Sequence, residues 1–142
     1  MESRSPTPEV YRRYVEDSSG YPKELVDSME DTARFLSSRI HYFFIFNSIS
    51  SIVRNECLSM EYEHTGDSSK ARLARLSAID EQRVVRDTLL GDERLQNWYR
   101  EVEGRVSGLL ALSREVMPDH FFKNAPSLLS YVRVWADVHV QA

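Results

Sequence analysis

A chain of 142 residues with 18 Lys and Arg against 22 Asp and Glu carries a formal net charge of -4, which excludes the concentrated basic face that nucleic-acid partners select. The length suits one domain with a sizeable core and leaves no room for two. A single cysteine, Cys57, allows no internal disulfide and points to a reducing compartment.

Residues 1–6 hold no apolar run, so no secretory signal is expected there. They read as a flexible N-terminus before a single all-helical domain over 7–142. Thr7-Pro8-Glu9 has the cap-then-proline order that opens a helix, and Ser18-Ser19-Gly20-Tyr21-Pro22 closes it. Leu25, Met29, Ala33, Leu36 and Ile40 recur at helical spacing, which predicts a second helix from about Lys23 to Ile40. The aromatic stretch His41 to Phe46 suits either a turn or the start of a third helix. Ile45, Ile49, Ile52, Val53, Cys57 and Met60 carry that helix to about Tyr62. Ile40 to Val53 is the most apolar stretch, yet His41, Asn47 and its serines make it too polar to span a bilayer. No integral membrane segment is expected.

Thr65-Gly66-Asp67-Ser68-Ser69 reads as a loop that ends in capping residues. Leu73, Leu76, Ile79, Val84 and Leu89 then predict a helix over Lys70 to Leu90, broken near Ser77. Its basic piece, Lys70 to Arg75, is balanced by Asp80, Glu81 and Asp87 and reads as a solvated face. Gly91 and Asp92 punctuate. Leu95, Trp98, Tyr99 and Val102 lead into residues 104–117, where Val106 to Ser113 carry no charge. That run predicts a central helix buried on all sides, with one apolar stripe and a small-residue face of Gly104, Gly108 and Ala111. Arg105 stands at its mouth, beside Leu109 and Leu112. Pro118 ends it, and Asn124-Ala125-Pro126 opens a last helix with Leu128, Leu129, Val132, Trp135 and Val138. Only Val132 to Val140 also suits a strand. The fold class is all-α, a bundle of roughly five to seven helices.

Catalytic chemistry finds little support. His41, His64, His120 and His139 are scattered, and Cys57 has no partner at a metal-ligand spacing. Glu61-Tyr62-Glu63-His64 holds the Glu-x-x-His spacing of di-iron bundles without the second copy such a site needs. Thr65 to Lys70 lacks the first glycine and the Gly-Lys-Ser/Thr ending of a phosphate loop. No enzyme activity, metal or cofactor is expected. The surplus of large apolar residues, Phe43, Phe44, Phe46, Trp98, Tyr99, Phe121, Phe122 and Trp135, points instead to a groove or a dimer face, and so to binding helices.

The C-terminal half resembles the B-cell lymphoma 2 (Bcl) family of apoptosis regulators, and its compact viral members in particular. Glu81 to Asp92 is similar to the family's fourth helix, with one residue inserted after Gln82. Gly104-Arg105-Val106 resembles the Gly-Arg-Ile signature that opens the buried fifth helix, and Val132-Arg133-Val134-Trp135-Ala136 resembles the tryptophan-bearing sixth. The family's Asn-Trp directly precedes Gly-Arg, whereas here Asn97-Trp98 lies upstream. A second register therefore pairs Asn97-Trp98-Tyr99-Arg100 with the signature and makes Arg100 the key arginine. Arg105 is the preferred reading, because the other register puts Glu101, Glu103 and Arg105 inside a buried helix. The family's second C-terminal motif and membrane tail have no counterpart.

This resemblance implies a Bcl-type bundle around a buried central helix, and an inhibitor of apoptosis that sequesters the amphipathic death-motif helix of pro-apoptotic proteins such as Bim. It implies that Arg105 pairs with the ligand's aspartate. Val84, Thr88 and Leu89 would form one wall, Leu109 and Leu112 the floor, and Ile49, Ile52 and Val53 the opposite wall. The implied location is the host-cell cytoplasm, peripheral to mitochondria at most. The alternative reading is an unrelated all-α adaptor that buries its apolar surplus in a homodimer.

Overall fold

A computed structural model describes residues 6–141, which form six α-helices and no strand. The expected flexible segment at 1–6 lies, except for Pro6, outside the described residues. α1 (Pro8–Ser19) starts where the Thr7 hydroxyl accepts from the Val10 amide at 3.2 Å, with Pro8 at the first helical position. Gly20 ends it at φ 70°, a left-handed conformation that glycine adopts without steric cost. α2 (Lys23–Ser37) follows, held to α1 by Arg12, which pairs with Asp27 and, at 2.9 Å, with Glu30.

A 3₁₀ turn at Ile40–Tyr42 leads into α3 (Phe43–His64), so the ambiguous aromatic stretch is turn first and helix second. α4 (Ser68–Leu89) returns antiparallel to α3, capped by Asp67 and locked where Ser59 Oγ donates to the Ala71 carbonyl at 2.9 Å. The break expected near Ser77 does not occur. Ala71, Ala74 and Ala78 keep one small, continuous face buried while Ser77 points to solvent, so nothing interrupts the amide ladder.

Asp92 caps α5 (Glu93–Val116) by accepting from the Leu95 amide at 3.0 Å. After a 3₁₀ turn at Pro118–His120, α6 (Phe121–Gln141) begins earlier than expected and carries Pro126 inside it. That proline lies one residue past the opening turn and a half, so it removes one amide bond to the Phe122 carbonyl. Val132 to Val140 is helical throughout.

Residues 104–117 are not buried on all sides. All but the capping residue Met117 belong to α5, which buries one stripe of Trp98, Val102, Val106, Leu109 and Ser113 and turns Gly104, Ser107, Gly108 and Ala111 outward. The outward set lies half a turn from the stripe and offers little apolar area, so covering it would stabilise the fold only slightly. The helix on which α1, α2, α3 and α5 all pack is α6, while α4 lies outside against α3. Ala125, Leu128, Leu129, Val132, Trp135 and Ala136 are essentially inaccessible and join one core with Leu25, Val26, Met29 and Leu36 of α2. No helix among the described residues is long and apolar enough to cross a membrane.

Candidate functional site

The buried stripe of α5 separates two flanks, and each flank carries arginine. On the first, Arg105 Nε donates to Glu101 Oε1 at 3.1 Å, and the guanidinium lies 4.5 Å over the ring of Phe35 on α2. Phe35 stacks on Trp98 with centroids 5.9 Å apart, and Tyr42 meets Trp98 edge-on at 5.2 Å. Arg105 is thus spent on its own protein, as the rim of an aromatic stack.

On the second flank the Gly91-Asp92 turn folds the start of α5 back against the end of α4. Gln96 Nε2 donates at 2.9 Å to the Leu89 carbonyl, which also accepts from the Asp92 amide at 3.2 Å, so both hold that helix end to the start of α5. The result is a groove of about 450 Å³ lined by Leu89, Leu90, Tyr99, Arg86, Arg100 and Glu103 together with Gln96. Burial, with the Glu103 carboxylate beside it, pushes the Tyr99 hydroxyl up to about 12, so it stays a neutral donor. Arg86 and Arg100 have no ion pair among the described residues, which leaves the groove with two cations and one carboxylate.

The residues that the resemblance gathers into one groove are dispersed. Leu109 is fully buried, and Leu112 is half-buried on the Arg105 flank. Ile49 and Val53 are inside the common core. Ile52 is buried outside that core, two turns from Ser59 on the face of α3 that meets α4. These positions are filled by the chain itself and form no open wall or floor. Val84 is 60% exposed, and Thr88 is exposed with its hydroxyl donating to the Val84 carbonyl at 2.8 Å, so both look away from Leu89. Only Leu89 and Arg100 of the expected set share the groove. Tyr99 was among the aromatic residues expected at a groove, whereas Leu90, Gln96 and Arg86 had an unused signal: the three-residue Leu90-Gly91-Asp92 connection between helices makes the flanking turns neighbours.

Chemistry of other kinds is poorly provided for. The Cys57 thiol is buried and pushed up to about 11, chiefly by burial and then by Glu56, which keeps it from acting as a thiolate. Glu63 is paired with Arg75 on α4, and no cluster of three metal-ligating side chains occurs among the described residues. Compared with known proteins, the chain matches no family model, no curated sequence and no solved structure.

Proposed function

We propose that the chain is a receptor for an amphipathic helix, bound across the groove between the end of α4 and the start of α5. The observation that supports this is the meeting of Leu89, Leu90 and Tyr99 with two arginines free of ion pairs in one groove. About 450 Å³ takes one or two apolar anchors, and an arginine at the rim selects an acid one turn away on the ligand. Following the resemblance, the occupant is the death-motif helix of a pro-apoptotic protein such as Bim, and its sequestration would inhibit apoptosis. In this reading Arg100, the arginine of the second register, takes the role of the hook, because Arg105 is engaged with Phe35 and Glu101.

Calorimetric titration with a panel of death-motif peptides tests the proposal. Submicromolar binding that is lost when the peptide's aspartate becomes alanine is the expected result. No binding of any peptide to the folded helical protein would overturn it.

A second reading, the homodimer, is favoured by one observation. Leu73, Leu76, Ile79 and Val84 on α4 are each at least half exposed, an apolar outer face with no cover from the same chain. Sedimentation over a wide concentration range distinguishes the two, since this face lies opposite the one α4 turns to α3 and need not involve the groove.

A further inference from the structure

The Arg105 flank of α5 holds a second and larger cavity, of about 660 Å³, where the start of α5 meets the 3₁₀ turn after α2. Its lining joins three aromatic side chains, Phe35, Tyr42 and Trp98, to two arginines, Arg39 and Arg94, with His41 at the edge. Neither arginine makes a side-chain hydrogen bond or ion pair with a described residue. The carboxylate in the cavity wall, Glu101, accepts from Arg105. Arg94 is also the second residue of α5, where the aligned peptide dipoles already leave positive charge, so a cation there is at the unfavourable end of the helix. The free protein therefore holds two arginines without an ion pair beside three aromatic side chains in one cavity.

We propose that this cavity binds a phosphate group carried on an aromatic ring. Two planar guanidinium forks match a dianion with several acceptor oxygens better than a single carboxylate, which one arginine would satisfy. A bare phosphate would leave most of about 660 Å³ empty, whereas a ring fills the part walled by Tyr42 and Trp98. Edge-to-face packing of Tyr42 on Trp98 sets that wall before any ligand arrives. The same chemistry occurs on a phosphotyrosine side chain and on a free aryl phosphate. The site is separate from the groove on the other flank of α5 and does not depend on it.

The test is calorimetric titration of the full chain with phenyl phosphate, with inorganic phosphate and with phenol. Saturable binding of phenyl phosphate is expected, weaker by about tenfold or more for inorganic phosphate and for phenol. Arg39→Gln and Arg94→Gln lie on exposed side chains and should keep the helical circular dichroism while each weakens phenyl phosphate by about tenfold. Arg72→Gln, exposed on α4, should change nothing. A short phosphotyrosyl peptide that binds more tightly than phenyl phosphate would assign the ligand to a protein, and equal affinity would assign it to a small molecule. Absence of saturation, equal affinity for inorganic phosphate, or indifference to both arginine substitutions would overturn the proposal.

Discussion

Arg105 lies 4.5 Å over the ring of Phe35 while its Nε is held by Glu101, so the arginine at the mouth of the uncharged run braces α5 against α2. Arg105→Glu removes the cation–π contact and sets two carboxylates one helical turn apart. The expected loss is about 1 to 2 kcal/mol, seen as a melting temperature lower by a few degrees. Death-motif peptide binding should be unchanged by this substitution. Loss of binding with an intact fold would return the hook to Arg105.

Arg100→Glu should do the reverse. Its side chain is exposed and unpaired, so thermal stability should stay within about 0.5 kcal/mol of the parent. Peptide affinity should fall about tenfold or more, because a rim cation becomes a charge that repels the ligand's acid. Titration of one peptide against both variants reads the contrast directly.

Gly104 and Gly108 lie on the outer face of α5, and a Cβ added to either meets nothing within 4 Å. Alanine at each position should therefore stabilise the free chain by about 0.5 to 1 kcal/mol through helix propensity alone. Urea denaturation of the single and double variants checks this. Destabilisation would mean that a helix of another molecule packs closely on that face in solution.

Trp135 is wholly inaccessible at the centre of α6, packed edge-on against Tyr11 at 6.1 Å. Trp135→Ala should cost about 3 to 5 kcal/mol, a large part of the stability of an ordinary domain. Trp135→Phe should cost much less, since the indole Nε1 has no hydrogen-bond partner to lose. Chemical denaturation midpoints separate the two.

Burial, and then Arg34, hold the His139 imidazole below its ordinary value of 6.5, against an opposing pull from Glu30. The ring stacks on Trp135 with centroids 6.0 Å apart, and its enclosed Nε2 has no partner. The folded chain therefore resists protonation that the unfolded chain accepts. This contribution is fully present above the unfolded value of 6.5 and is lost as pH falls towards the depressed folded value. Urea midpoints should drop between about pH 7.5 and 5.5, and His139→Phe should flatten that drop. Glu56, raised by burial, acts in the opposite sense and only as pH nears the carboxylate range.

Local signals were legible where one residue type does one physical job. Thr7-Pro8, Asp67 and Asp92 start helices because an oxygen side chain can accept the orphan amides of a first turn, whatever the rest of the chain does. Gly20, Gly66 and Gly91 stand at positive φ between helices for an equally local reason. The candidate groove was legible only in fragments. Leu89, Tyr99 and Arg100 stand out in the sequence for three different reasons, and Arg86, Leu90 and Gln96 join them only through the turn at Gly91.

On α4 the expected stripe of Leu73, Leu76, Ile79 and Val84 is exposed, and Ala71, Ala74 and Ala78 are buried in its place. All-helical character and the buried stripes of α2, α3 and α6 do follow from the sequence, because they depend on spacings of three and four residues. Which stripe becomes the centre does not. An uncharged run such as Val106 to Ser113 has the composition of a buried helix, yet burial is decided by how many neighbours can pack against a side chain at once. Trp135, Leu128 and Val132 offer that area on α6, and the glycines of α5 do not. The same competition decided the arginines: Arg105 found an aromatic ring across a helix interface, and Arg100 found none.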